Sequence, residues 1–221
     1  MTSTDWERKA LGHLAQKGLK PRVIVDIGAA YGEWGVQASN TFWGAEFHLI
    51  DALQENLPHL DYICSKQPTV SCHLAALGPQ AGHGVLNLSD NLADVRVLDL
   101  KARSPACRDI EITCLDDMIG SAVLPRPDFL RIDVPGSELS ILRGAARSLP
   151  AVEVVWTATT LYRFMPWYNV AHETIQFLAE RGFQLFDVGR TIQRPFDADL
   201  AQLDFIFFAG TSPLIVDNRW Y

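Results

Sequence analysis

Three acids stand in or at the ends of short apolar runs, and chemistry can be read from them first. Asp26 lies in Val23-Ile24-Val25-Asp26-Ile27-Gly28, Asp51 closes Glu46-Phe47-His48-Leu49-Ile50-Asp51, and Asp133 closes Asp128-Phe129-Leu130-Arg131-Ile132-Asp133. The unbroken, β-branched character of the Val23–Ile27 run is that of a strand buried on both faces of a parallel sheet. A carboxylate at the carboxyl end of such a strand faces the crevice in which open α/β sheets bind ligands. Asp51 follows Gly32 by 19 residues, a spacing that lets it accept hydrogen bonds from the two hydroxyls of a ribose.

Between the first two acids runs the turn Gly28-Ala29-Ala30-Tyr31-Gly32. Its glycines allow a sharp bend and a close approach of backbone to ligand, and the helix that follows offers unpaired N–H groups to the same crevice. A dinucleotide fingerprint needs glycine where Ala30 and Glu33 stand, so a Cβ and a negative charge would face a pyrophosphate. S-adenosylmethionine has no phosphate; its adenosine, sulfonium and amino-acid tail suit the looser Gly28–Gly32 turn and argue against NAD or FAD. Methyl transfer is an in-line displacement that needs positioning, and a base where a hydroxyl must lose its proton. Asp26 reads as orienting the glycine turn through hydrogen bonds. Asp133 reads as positioning cofactor or acceptor, with a base or a helix cap as alternatives. His172, near a helix start, is a second candidate base, although a solvated helix histidine is the commoner case. Tyr162, Phe164, Trp167 and Tyr168 line an acceptor pocket or pack under a loop.

These residues need elements to hold them. Thr4-Asp5-Trp6-Glu7 reads as a capping box opening a helix that ends by Gly18 and covers one end of the sheet. A helix from Glu33 to Thr41 follows the glycine turn, and Leu53, Leu57, Leu60 and Ile63 recur at helical spacing with Pro58 in the first turn. Val70 to Leu77 reads as one strand. The stretch 78–108, with Gly82, Gly84, Pro105, Val85, Leu86, Leu88 and Val95, reads as a solvated loop ahead of a hairpin or active-site flap. Ile110 to Leu115 is a short strand and Asp116-Asp117 a polar turn. Ser137 to Leu149 is helical up to Pro150, Val152 to Trp156 a buried strand, and Asn169 to Arg181 an amphipathic helix closed by Gly182. Phe183 to Val188 and Leu203 to Phe208 form an antiparallel pair at the sheet's end. Alternating strands and helices imply right-handed crossovers in a parallel sheet.

Composition bounds the reading further. The chain has 221 residues, 48% of them hydrophobic and 20% charged, which suits one α/β domain over 1–221, with 1–20 as its N-terminal helix. A formal charge of −7 and no basic stripe give no footprint for nucleic acid. No segment is apolar enough for a membrane span and no leader is visible. Cys64, Cys72, Cys107 and Cys114 show no C-x-x-C pair and read as unpaired thiols, pointing to a reducing, cytoplasmic setting. The histidines 13, 48, 59, 73 and 83 show no metal-ligand spacing, so no metal is expected. The sequence leaves a homodimer open.

The blocks Val25-Asp26-Ile27-Gly28-Ala29, Asp51, Ala75-Ala76-Leu77-Gly78 and Leu115-Asp116 occur in an order that resembles the FkbM family of S-adenosylmethionine-dependent methyltransferases. The run Leu130 to Leu139 with Leu142-Arg143-Gly144-Ala145 adds to it, as do the Tyr162 region, Glu180 to Phe183 and Leu203 to Phe207. The resemblance implies a class I methyltransferase (Rossmann-like) α/β fold: a seven-stranded, mostly parallel sheet with helices on both faces and an antiparallel C-terminal strand. It implies O-methylation of a sugar, polyketide or other small-molecule acceptor, with S-adenosylhomocysteine as product. By the same resemblance Asp26, Gly28, Ala29, Ala30, Tyr31 and Gly32 hold the methionine tail, Asp51 the ribose, and Ala75 and Ala76 the adenine, with Ala52 also a cofactor-binding residue. Asp133 lies near sulfonium and acceptor. Two departures stand out: Pro135 where the family has an acid beside the reaction centre, and Val155 where it often has an acid, with Glu153 two residues away. They raise the alternative of a catalytically reduced binding or partner protein.

Overall fold

The structure is a computed structural model that describes residues 3–87, 96–98, 107–215 and 219. The chain runs α1 (Ser3–Gln16), β1 (Val23–Ile27), α2 (Glu33–Thr41), β2 (Glu46–Asp51), α3 (Leu57–Lys66), β3 (Val70–Leu74), β4 (Ala76–Leu77), β5 (Gly82–Asn87), β6 (Arg96–Leu98) and β7 (Cys107–Thr113). It continues as α4 (Leu115–Gly120), β8 (Phe129–Ile132), α5 (Glu138–Arg143), β9 (Val154–Thr160), α6 (Ala171–Ala179), β10 (Phe183–Gln193) and β11 (Leu200–Ala209). Seven strands form one sheet in the order β10-β11-β9-β8-β1-β2-β3. Its β9-β8-β1-β2-β3 portion is parallel, and β11 pairs antiparallel with both β9 and β10. This is the class I methyltransferase sheet with its antiparallel C-terminal hairpin.

Strand alternation divides the core into two layers. Val25 and Ile27 face one side, packing with Leu115 and Met118 of α4, Leu139 and Leu142 of α5, and Phe177 and Leu178 of α6. Ile24 faces the other, with Leu11 and Leu14 of α1, Trp34 and Ala38 of α2, Leu60 of α3, and Trp156. Burial on both faces is why these strands lack polar alternation.

Register then sets the site. Ile27 lies opposite Ile50 of β2 and Ile132 of β8, so Gly28, Asp51 and Asp133, each one residue further on, form a row along the carboxyl edge.

Several expectations need correction. Val70 to Leu77 is not one strand: β3 pairs with β2, whereas β4 leaves the main sheet to pair with β7. The expected loop over 78–108 is in part strand, since β5 joins β7 and β6 in a second, four-stranded sheet of order β4-β7-β5-β6; Val85 and Leu86 are buried by it, while Leu88, Val95 and Pro105 lie outside the described residues. Asp116-Asp117 lies inside α4, where buried Asp116 accepts hydrogen bonds from the Arg147 N–H at 2.7 Å and the Ser148 hydroxyl at 2.5 Å. Helix α5 stops at Arg143, and Pro150 lies in a separate short 3₁₀ turn, Leu149–Ala151. Helix α1 starts at Ser3, so Thr4 is within it rather than capping it. Cys64 and Cys72 are not unpaired: they form a disulfide between α3 and β3, leaving Cys107 and Cys114 outside it. The inference from unpaired thiols to a reducing compartment loses that pair. Among the described residues no helix is long and apolar enough to cross a membrane.

Candidate active site

The glycine turn is closed by a carboxylate from the neighbouring strand. Asp51 Oδ2 accepts the Ala30 N–H at 2.8 Å, and Oδ1 accepts the Leu53 N–H at 2.9 Å and the Asn56 side-chain amide at 3.1 Å. Ala30 has φ 48°, a left-handed conformation an alanine adopts only when its surroundings hold it there. Asp51 is that restraint. A carboxylate offers about four lone-pair sites, and three donors leave room on Oδ2 for one more. Burial raises the Asp51 carboxyl above the ordinary aspartate range, opposed by these donors.

Gly28 allows β1 and β8 to end side by side. With φ +81°, it sits where a Cβ would overlap the Asp133 carbonyl oxygen and meet Val134 Cγ2 at 2.8 Å. The Gly28 and Ala29 N–H groups both donate to the Ile50 carbonyl, at 2.9 and 3.1 Å, binding the turn to the end of β2.

Beneath the edge runs an ion-pair chain. Arg131 donates to Asp26 Oδ1 at 2.7 Å and to Asp133 Oδ2 at 2.6 Å; Arg190 of β10 donates to the same Asp133 oxygen at 2.9 Å and to Asp204 Oδ1 at 2.7 Å. Asp204 Oδ2 accepts the Trp156 indole N–H at 2.8 Å. Burial alone would lower the Arg131 guanidinium, but Asp26 and Asp133 outweigh it and it is held protonated. Burial raises Asp26 and Asp204, with Arg131 and Arg190 respectively opposing it. The carboxylate of Asp26 therefore anchors Arg131 rather than orienting the turn, a correction to the sequence reading.

Two cavities open on this edge. The first is lined by Ile27, Gly28, Ala30, Ile50, Asp51, Ala52, Leu53, Ala75, Ala76, Leu77, Asp133, Val134, Pro135 and Ile141. Its walls are largely apolar, with the Asp51 and Asp133 carboxylates at two strand tips and, among the described residues, no Lys or Arg in its lining, chemistry that fits an adenosine and not a phosphate. The second is lined by Glu7, Gly28, Ala29, Ala30, Tyr31, Glu33, Trp34, Arg131, Asp133, Pro135, Arg190, Ile192 and Gln202. Gly28, Ala30, Asp133 and Pro135 are shared, so the cavities adjoin at Asp133.

The sequence-selected cofactor residues thus come together, except that Asp26 lies beneath the cavities and Gly32, at φ +78°, packs against Ile63. His172 is exposed on the first turn of α6 and lines neither cavity. Tyr162 and Phe164 are partly exposed rings in mutual contact, Phe164 meets buried Tyr168 edge-on, and none of the three lines either cavity. Val155 is buried as the second residue of β9, opposite Leu130 and Phe207, and Glu153, just ahead of that strand, accepts the Ser212 hydroxyl. His48 is hydrogen-bonded to His73 at 3.0 Å and to Glu46 at 2.9 Å; among the described residues no group of three or more His, Cys, Asp or Glu could hold a metal. Glu7, Arg131, Arg190, Gln202 and Asp204 were not selected from sequence. Arg131 in a buried apolar run was the one available signal, since a buried guanidinium needs carboxylate partners.

Comparison with known proteins bears on the fold and the family. The sequence model described as Methyltransferase FkbM domain matches residues 26–185. No curated protein matches the chain. Among solved structures, the N-methyltransferase NodS from Bradyrhizobium japonicum superposes with a TM-score of 0.55 at 9% identity, covering 94% of this chain and 96% of that one. A precorrin-6y C5,15-methyltransferase from Geobacter metallireducens gives 0.51 at 17% identity, with 90% and 84% covered. A putative tRNA methyltransferase from Streptococcus pneumoniae, in complex with S-adenosyl-L-methionine, gives 0.51 at 12% identity, with 92% and 73% covered. At these identities the structural likeness is one of fold, and the family rests on the sequence match over most of the chain. The chain belongs to the FkbM family of S-adenosylmethionine-dependent methyltransferases.

Proposed function

We propose that this protein transfers a methyl group from S-adenosylmethionine to a hydroxyl of a small-molecule acceptor. The observation that carries the reading is the meeting of the two cavities at Gly28, Ala30, Asp133 and Pro135. One apolar, phosphate-averse compartment takes the adenosine. The other, with charged and polar walls, takes the acceptor. Asp51 and Ala52 serve the ribose, Ala75 and Ala76 the adenine, and the turn from Gly28 through Tyr31 the methionine end. The cofactor supplies an electrophilic methyl group on a sulfonium. The chain's part is to hold the acceptor oxygen in line with it, exclude competing water and accept a proton. Asp133 Oδ2 is bound by two guanidiniums, which suits a fixed negative charge near the sulfonium rather than a proton acceptor. His172 on an exposed helix face is equally unsuited to that role. Pro135, which has no N–H, shapes the wall where the compartments meet.

A second reading, a binding protein with reduced catalysis, is favoured by the ion-paired state of Asp133 together with Pro135 and Val155. The experiment that separates them is transfer of a labelled methyl group from S-adenosylmethionine to a panel of sugars and other hydroxylated small molecules. Labelled product with release of S-adenosylhomocysteine supports the enzyme. Cofactor binding without transfer to any acceptor in the panel supports the binding protein.

A further inference from the structure

The acceptor-side cavity contains one buried carboxylate that takes no hydrogen bond from the described residues. Glu7 lies on α1, and its side chain is only 10% exposed. The carboxylate makes no hydrogen bond with any described residue; its single ion pair, to Arg190 Nε, is long at 3.9 Å. A buried carboxylate is ordinarily paired or hydrogen-bonded, so Glu7 is an acceptor with capacity to spare, opening onto a cavity. Its position is specified by packing. Trp6 lies edge-on to Trp156 at 5.1 Å and covers Gly189, where any Cβ would enter the indole ring. Leu11 and Leu14 are buried further along the same helix. Helix α1 is thereby fixed over β10, with Glu7 turned to the cavity wall that Arg190 and Gln202 share.

Other acids at this cavity are differently placed. Asp133 is held by two arginines, and Glu33 is exposed in the first turn of α2. Glu7 faces Arg131 of β8, Arg190 of β10, Asp133 and Asp204 of β11; burial raises its carboxyl above the ordinary value of 4.5, the two arginines oppose the rise and the two aspartates add to it. Glu7 and Arg190 both lie outside the family-matched segment 26–185, where features peculiar to this chain's acceptor would reside.

We propose that Glu7 is the general base that takes the proton from the acceptor hydroxyl. The inference rests on the methyltransferase reading above. In the step, the acceptor oxygen forms a bond to the methyl carbon as the sulfur–methyl bond breaks. The bonding pair stays on sulfur, giving a neutral thioether, and the hydroxyl proton passes to a Glu7 oxygen and then to water.

The test compares wild type with Glu7→Gln and Glu7→Asp. Calorimetric titration with S-adenosylhomocysteine should give the same affinity for Glu7→Gln within about twofold. A ¹³C titration of carboxyl-labelled glutamate, with Glu7→Gln assigning the resonance, should find Glu7 titrating above 4.5. With a hydroxyl acceptor that the wild type methylates, kcat at saturating cofactor should fall roughly 10²–10⁴-fold in Glu7→Gln, the scale of a lost general base. The acid limb of the kcat–pH profile should vanish, and Glu7→Asp should recover part of the rate. A tenfold or greater loss of S-adenosylhomocysteine affinity makes Glu7 a cofactor ligand and overturns the proposal. So does a Glu7→Gln enzyme with wild-type kcat and pH profile, which leaves the methyltransferase reading intact. A wild type that methylates no hydroxyl acceptor overturns both.

Discussion

Replacing Asp51 by alanine separates two roles that a single carboxylate combines. In the structure it binds three protein donors, the Ala30 and Leu53 N–H groups and the Asn56 amide, before any ribose arrives. Each buried donor that loses its acceptor costs about 1–3 kcal/mol. Ala30 borders both cavities and can turn to water, so the loss falls on Leu53 and Asn56 and comes to about 2–6 kcal/mol. For a chain of this length that is a fall in Tm of roughly 4–24 °C. The ligand-free protein should therefore melt earlier. Calorimetry should also show at least a tenfold weaker S-adenosylhomocysteine complex, or about 1.4 kcal/mol, because the left-handed Ala30 turn is no longer held. Asn56→Ala, destabilising alone, should add little in the Asp51→Ala background, since both remove the same bond. A ligand-free Asp51→Ala protein that melts within about 2 °C of wild type while losing cofactor affinity would refute the bracing role and leave Asp51 as a ribose ligand only.

Other perturbations test other parts of the account. Asp204→Ala leaves Arg190 and the Trp156 indole without their shared acceptor and should cost about 3–5 kcal/mol in urea unfolding; a loss below about 1 kcal/mol would show the ion-pair chain to be dispensable. Glu7 is raised above 4.5 in the folded state, so the folded protein holds that proton longer than the unfolded chain. The stability this lends is complete below the unfolded value and is lost as pH rises through the folded one. The stability of wild type relative to Glu7→Gln should accordingly fall as urea midpoints are taken upward from about pH 4.5, and a gap that widens in favour of wild type would contradict the burial argument. The Cys64–Cys72 bridge, spanning a separation of 8 residues, should contribute about 2.5 kcal/mol by loop entropy. Two of the four cysteines should resist a thiol reagent in denaturant without reductant, and four reactive thiols would deny the bridge.

The centre of the main sheet was legible because β1, β2 and β8 are short apolar runs, the first running into a glycine turn and the other two closed by acids, and register carries Gly28, Asp51 and Asp133 to one edge without any long-range contact having to be guessed. The ion-pair chain was not legible, since Arg131 meets Asp26 across 105 residues and Arg190 meets Asp133 across 57. Only the crossing of β8, β1 and the C-terminal hairpin brings these charges together. Glu7 read as half of a capping box because its local spacing fits one. Its burial depends on Trp6 finding Gly189, a contact no local pattern announces. The cysteine reading failed for a related reason: a separation of 8 residues says nothing until α3 folds back against β3 and brings the Cα atoms to 6.7 Å. The break between β3 and β4 was hidden because Val70 to Leu77 is continuous in character, and its last residues leave the main sheet for β7.

The central claim is that the groove at the carboxyl edge holds S-adenosylmethionine, and direct calorimetric titration of S-adenosylmethionine and S-adenosylhomocysteine into the purified protein tests it without knowledge of the acceptor. One-to-one binding in the micromolar range, about −8 kcal/mol, is the result expected. No heat and no thermal shift with either compound would contradict the account.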